Sequence, residues 1–288
     1  MDDKQNQWIT ENYKDIYKMS YKVKKKLYSK KSPFQKVEVY DTDYLGRILL
    51  NDDLLMTSER DEFVYHEMIT HVPLFAHPNP KSVLVIGGGD GGTVREALKH
   101  ESVEKVVMVE IDSCVIEASK EFISVTAKEL ENSKLELIVD DGVKYLKEAK
   151  DKSFDVVLVD STDPIGPAAP LFNESFYSDV KRVLTADGMV ISQCENPFLE
   201  METQKSLLTI KSKLFEGTFV YNYSNITYPS GLWSFSMAIN GGAKPFSPIR
   251  EDSFVKDLKY YNKKIHEASF ALPQFQLQAL KDILKGNV

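Results

Sequence analysis

The sequence is short of the features that would make it something other than an ordinary cytoplasmic protein. It has two cysteines, Cys114 and Cys194, with no CxxC pair and no histidine-rich partner spacing. That argues against a disulfide framework or a zinc site and suits buried free thiols in a reducing compartment. No stretch approaches the ~20 consecutive apolar residues of a membrane span. The first residues, Met1-Asp2-Asp3-Lys4-Gln5, are too polar and acidic for a secretory leader, so the expected location is cytoplasmic and away from membranes. There is no excess of positive charge: 36 Lys and Arg stand against 43 Asp and Glu, a net of −7. Nucleic acid is therefore not the expected partner, since phosphate binding relies on clustered cations. A negative surface favours cationic ligands. The one basic run, Lys22 to Lys31, interleaves with Tyr21, Val23, Leu27 and Tyr28 and reads as the solvated face of strands. Internal repeats and low-complexity segments are also missing.

The 288 residues are 42% hydrophobic and 27% charged, enough for one large domain and a small one. The pattern divides them at 1–57 and 58–288. In the first part, Val37 and Val39 alternate with polar residues, and Asp43-Tyr44-Leu45-Gly46 suits a hairpin turn before 47–50. This predicts a small antiparallel β-domain. Ser58 with Asp61 then marks a helix start, and 60–76 carries Phe63, Met68, Val72 and Leu74 at apolar positions. From Pro80 onward, strands alternate with helices. The strands are expected at 82–86, 105–111, 135–139, 154–160, 189–193, 218–224 and 232–239, and the helices at 93–100, 114–122, 143–150, 174–184 and 200–215. The fold class is thus α/β: a Rossmann-like domain with a mostly parallel seven-stranded sheet, behind the small antiparallel domain. Ligands of such sheets bind beyond the carboxyl ends of the strands. The stretch from Ser253 is expected as helices and loops packed on the outside.

The first of these strands runs into Gly87-Gly88-Gly89-Asp90-Gly91-Gly92, a turn that lets a ligand approach the backbone. The next strand ends in Glu110, about 20 residues on, where an acidic side chain suits ribose hydroxyls. Asp90 occupies the place of a dinucleotide's pyrophosphate. A carboxylate there repels phosphate, which counts against NAD or FAD and suits a sulfonium or an amine. The third strand ends in Asp140-Asp141-Gly142, where Asp141 fits both an adenine amino group and the N-cap of the next helix.

The fourth strand runs into Asp160-Ser161-Thr162-Asp163-Pro164-Ile165-Gly166-Pro167, followed by a loop rich in proline and small residues. Asp90, Glu110, Asp141, Asp160 and Asp163 would then share one sheet edge. Like charges this close need cations or hydrogen bonds to offset them. No histidine or cysteine ligands join them by spacing, so no metal is expected; two organic cations would serve. One is a sulfonium nucleoside with an amino tail, the other a polyamine.

The segments TSERDEFVYHEM, GGGDGGTVREALKH, VEIDSCVIEASKEF, VDDG, DSTDPIGPAAPLF and TYPSGLW resemble those of spermidine synthases, the polyamine aminopropyltransferases, from about Trp8 to Leu280. The resemblance implies a small N-terminal β-domain ahead of a methyltransferase-type α/β domain, in a homodimer or homotetramer with no cofactor, whose substrates are decarboxylated S-adenosylmethionine and a diamine such as putrescine. It makes Asp160 the catalytic base and Asp163 a second amine ligand. Tyr65, His66, Tyr228 and Trp233 would line the diamine channel, and Asp90 would take the aminopropyl ammonium. Gln35, Gly88 and Glu110 would hold the nucleoside, with Asp141, Gly142 and Pro167 at its adenine. Taken singly, Tyr65 and Trp233 also suit plain core, and His66 a hydrogen-bonded helix histidine. Met56 stands where many relatives carry Gln. The alternative on the same fold is a diamine N-methyltransferase using S-adenosylmethionine.

Overall fold

The computed structural model describes residues 7–164, 166–241 and 244–285. The leader reading of 1–5 and Ile165 of the proline-rich loop lie outside the described residues. Five antiparallel strands come first: β1 (Gln7–Tyr13), β2 (Tyr17–Lys31), β3 (Lys36–Thr42), β4 (Arg47–Asn51) and β5 (Leu54–Ser58), paired in chain order. The lysines of β2 are exposed while Val23 is buried, so the basic run is indeed a solvated strand face. Gly46, at φ +71°, closes the turn between β3 and β4.

The second sheet has seven strands, β6 (Ser82–Gly87), β7 (Lys105–Glu110), β8 (Leu135–Val139), β9 (Phe154–Asp160), β10 (Leu184–Gln193), β11 (Gly217–Ser224) and β12 (Leu232–Ile239). Their spatial order is β11-β12-β10-β9-β6-β7-β8. β12 runs antiparallel to both neighbours and the remaining pairs are parallel. The fold is the expected α/β type. The central strands are apolar on both faces, as burial under helices requires: Val83, Leu84, Val85 and Val156, Val157, Leu158 are all fully buried. Helices cover them: α1 (Glu62–Ala76), α2 (Gly92–Ala97), α3 (Ser113–Phe122), α4 (Ser124–Ala127), α5 (Gly142–Glu148), α6 (Glu174–Val183), α7 (Met201–Leu214), α8 (Lys263–Ser269) and α9 (Gln274–Leu280). Both cysteines are free and buried. No helix among the described residues is long and apolar enough to cross a membrane.

Three local expectations are corrected. α1 starts at Glu62, because Ser58 closes β5 and spends its hydroxyl on Asp61 Oδ1, 2.7 Å away. Asp61 makes no side-chain cap; its Oδ2 instead accepts the Ile226 and Thr227 N–H groups at 2.8 and 2.9 Å. β10 begins at Leu184 rather than 189, with a register irregularity between Leu184 and Met189 that hid it from a period-two reading. The C-terminal helices dock more deeply than expected: His266, Gln276 and Leu280 are fully buried. Glu67 of α1 anchors the approach to them by accepting the Lys259, Tyr260 and Tyr261 N–H groups.

The sheet order places the site. The chain runs β6 to β7 to β8 in one direction, then returns to lay β9 and β10 on the other side of β6. The carboxyl ends of β6 and β9 therefore diverge, and such a switch point opens a crevice for a ligand.

Candidate active site

Register fixes the centre of that crevice. Gly87 ends β6 opposite Asp160, which ends β9. At φ +82°, a Cβ on Gly87 would sit 2.1 Å from the Asp160 carbonyl oxygen, so only glycine fits. The Gly88 N–H donates to that same carbonyl at 2.8 Å. The Asp160 carboxylate is then held from two sides. Tyr65 of α1 donates its hydroxyl to Oδ1 at 2.8 Å, and Thr93 of α2 donates to Oδ2 at 2.6 Å. Burial raises the Asp160 carboxyl above its ordinary range; the charge of His66 opposes that, and the negative Asp90 adds to it.

On the nucleoside side, Glu110 at the end of β7 accepts the Gly89 and Asp112 N–H groups at 3.1 and 2.9 Å. Burial pushes its carboxyl up to about 7, with the neighbouring Asp112 charge adding to the rise. Gln35 donates to Asp112 Oδ2 at 3.1 Å, which sets its amide beside Glu110 on the cavity wall. Asp141 caps α5 by accepting the Val143 N–H at 2.7 Å, so the capping role is real and its second oxygen stays available. A Cβ on Gly142 would lie 2.7 Å from Ile86 Cγ2.

On the other side, Asp163 accepts from Gln193 Nε2 at 3.1 Å, and burial pushes its carboxyl up to about 6. Glu11 of β1 and Glu195 beyond β10 lie near it. Burial raises Glu11 to about 7 and Glu195 to about 8, with Asp163 adding to both. Aromatic rings close this side. Tyr65 and Tyr228 meet edge to face at 5.8 Å, Tyr228 leans on Trp233 at 5.3 Å, and the Tyr228 hydroxyl donates to the Met56 carbonyl at 2.8 Å. The Trp233 indole N–H donates to the Pro229 carbonyl at 2.9 Å.

Most of these side chains face one cavity of about 200 Å³; Thr93, Asp112 and Glu195 stand behind its wall and hold or bias the residues that line it. It brings together every residue singled out from sequence: Gln35, Tyr65, His66, Gly88, Asp90, Glu110, Asp141, Gly142, Asp160, Asp163, Pro167, Tyr228 and Trp233. Sequence reasoning missed Glu11 and Tyr13, because nothing in the polar β1 strand says that it reaches the second sheet. It also missed Thr93 and Gln193, whose only signal was adjacency to the Gly-rich turn and to a strand end. Among the described residues, no group of three or more His, Cys, Asp or Glu is arranged to hold a metal. The cavity's chemistry is carboxylates, aromatic faces and backbone N–H groups, a surface for organic cations.

A Gly-rich β6–α2 turn, an acidic β7 end and a cavity at the switch point define an α/β transferase of the methyltransferase-like type. Comparison with known proteins narrows the class. Residues 7–59 match the family model described as spermidine synthase tetramerisation domain, and 62–244 match the spermine/spermidine synthase domain. A polyamine aminopropyltransferase of Thermoanaerobacter sp. (strain X514) is 46% identical over 96% of this chain and 98% of its own. A crystal structure of spermidine synthase in complex with the transition state analogue AdoDATO superposes with a TM-score of 0.91 at 40% identity, covering 96% of each chain. The spermidine synthase from Thermotoga maritima gives 0.89 at 40% identity, over 96% of this chain and 95% of that one. The chain belongs to the spermine/spermidine synthase family. The N-methyltransferase alternative finds no support among these relatives.

Proposed function

We propose that this enzyme transfers the aminopropyl group of decarboxylated S-adenosylmethionine to putrescine, giving spermidine and methylthioadenosine. The observation that carries the reading is the Asp160 carboxylate, fixed by Tyr65 and Thr93 in one cavity with Asp90 and Asp163. Three negative groups around one small space call for cations, and this reaction brings two.

The nucleoside lies along the β6 and β7 ends. Glu110 accepts the ribose hydroxyls with Gln35 and Gly88 alongside, Asp141 and Gly142 meet the adenine, and Pro167 covers it. Asp90 holds the aminopropyl ammonium. The diamine lies on the other side, its distal ammonium against Asp163, Glu11 and Gln193, its chain between Tyr65, Tyr228 and Trp233. Its near nitrogen faces Asp160. An alkyl ammonium has a pKa near 10 and no lone pair to attack with at pH 7. Asp160 accepts its proton; burial has already raised the affinity of that carboxyl for it. The freed nitrogen forms a bond to the aminopropyl carbon as that carbon's bond to sulfur breaks. The sulfur keeps the electron pair and leaves as the neutral thioether of methylthioadenosine. The sulfonium is an activated leaving group, so positioning and desolvation carry the acceleration. Rate is then governed by alignment of nitrogen, carbon and sulfur.

The match of residues 7–59 to a tetramerisation domain supports self-association as a homodimer or homotetramer through the five-stranded sheet. The reaction is tested by mass spectrometry of products from decarboxylated S-adenosylmethionine with putrescine, cadaverine, agmatine and spermidine as acceptors. Spermidine and methylthioadenosine are expected. A product heavier than the acceptor by one methyl, with S-adenosylmethionine as donor, would overturn the reading.

A further inference from the structure

The reaction above uses Asp90 but leaves unexplained the buried charges behind it. His66 of α1 stands between two carboxylates. Its Nε2 is 3.3 Å from Asp90 Oδ2, and its Nδ1 is 2.6 Å from Glu62 Oε2, one helical turn back. Arg95 of α2 grips Glu62 with two guanidinium nitrogens, Nη1 to Oε1 at 3.0 Å and Nη2 to Oε2 at 2.9 Å, and turns its Nε to Glu96 at 2.7 Å. Glu62, His66 and Arg95 are all buried, so water screens none of these contacts. The ring has no other place to go: a Cβ on Gly92 would lie 2.3 Å from it.

A carboxylate only accepts hydrogen bonds, and a neutral imidazole has only one N–H. An imidazole with a carboxylate oxygen at each nitrogen satisfies both contacts only when both nitrogens carry hydrogen. The remaining groups around the ring agree. Tyr65 meets it edge to face at 5.5 Å, and Asp160 lies beyond with its negative charge. The other Asp90 oxygen, Oδ1, is occupied by the Gly92 N–H at 2.8 Å. Charges alternate along the row: Arg95 positive, Glu62 negative, His66 positive, Asp90 negative. A ligand ammonium at Asp90 continues the alternation.

We propose that Glu62 is a positioning residue for the donor's ammonium subsite: clamped by Arg95, it fixes the His66 imidazolium, whose Nε2–H holds the Asp90 carboxylate ionised and in one orientation. The proposal rests on the reading of Asp90 as the ammonium ligand. Burial disfavours the charge on His66, but Asp90 and Glu62 outweigh it and hold the imidazolium well above the usual histidine range. The same contacts keep Asp90 and Glu62 below the usual carboxyl range despite their burial. Glu62 touches no substrate; it acts through His66.

The test has two arms on the full-length protein. In the first, nitrogen-15 NMR of the His66 ring in wild type at pH 7.5 is expected to give the doubly protonated pattern, and in Glu62→Gln the pattern of a neutral ring. In the second, calorimetry compares two ligands: decarboxylated S-adenosylmethionine, which has the ammonium, and methylthioadenosine, which lacks it. Glu62→Gln is expected to weaken the first about tenfold or more and the second less than twofold. A neutral His66 in wild type overturns the proposal, even if the variant fails to fold. A variant that keeps the imidazolium, or weakens both ligands equally, overturns it too. Neither arm uses turnover, so absence of spermidine formation would strike the proposed reaction and leave this test standing.

Discussion

Replacing Asp160 by Asn removes one proton acceptor and little else. The Asp160 carboxylate accepts from Tyr65 at 2.8 Å and Thr93 at 2.6 Å. Hydroxyls both donate and accept, so an amide answers both: its oxygen takes one hydroxyl proton and its NH₂ donates to the other oxygen. The exchange also removes the repulsion between Asp160 and Asp90. Stability should therefore change by no more than about 1 kcal/mol, or ~2–4 °C in Tm for a chain of this size class. Turnover should change far more. At pH 7.5 only about one amine in 300 is unprotonated, taking a pKa near 10. Loss of a positioned base costs about 10²–10⁴ in rate, equivalent to ~2.7–5.5 kcal/mol of barrier. The variant must take its nucleophile from the free amine in solution, so its kcat/KM should climb about tenfold per pH unit towards pH 10, following that pKa. Wild type should level off once Asp160 is ionised. Steady-state assays at pH 7.5 and 9.5, with melting curves on the same preparations, decide the matter. A variant within fivefold of wild type at pH 7.5, or a deficit equal at both pH values, would refute the assignment of Asp160 as base.

Further outcomes follow from the other buried groups. On the proposed reading Glu110 accepts two ribose hydroxyls as a carboxylate, and burial pushes its carboxyl up to about 7. Methylthioadenosine carries no charge at sulfur, so its affinity should fall up to about tenfold per unit below pH 7 and stay flat above; calorimetry on Glu110→Gln should give weaker, pH-independent binding. Glu11 is raised from 4.5 to about 7 by burial, so the folded chain holds its proton where the unfolded chain does not. Its contribution is present below about pH 4.5 and lost as pH rises to 7. Glu11→Gln should thus be more stable than wild type at pH 8, by at most ~3 kcal/mol, equal to it at pH 4.5, and poorer in diamine KM; an equal Tm difference at both pH values would contradict this. Gly87→Ala should lower Tm by at least ~4 °C in calorimetry, since a positive φ alone costs about 1–2 kcal/mol and the Asp160 carbonyl blocks the new Cβ.

The second sheet was legible because its central strands are buried on both faces, and apolar runs such as 83–86 have no other use. The cavity lining was legible where chemistry and strand ends coincide, as at Glu110 and Asp160. What stayed hidden was long-range. β1 alternates too weakly for its burial to be guessed, since Glu11 and Tyr13 are buried only by reaching the other sheet's cavity. Asp61, three residues after Ser58, looked like part of a helix-start signal and proved to anchor Ile226 and Thr227, 165 and 166 residues on. Thr93 reads as a helix residue until the fold brings Asp160 to its hydroxyl.

The β1–β2 hairpin offers the last point. On the proposed reading, the amine's far end rests partly on Glu11, whereas the proton acceptor Asp160 ends β9, the residues that hold it belong to α1 and α2, and Asp90 follows β6. Selection can therefore lengthen, shorten or recharge the acceptor's berth by altering one peripheral ribbon, while the machinery that breaks the carbon–sulfur bond is inherited intact.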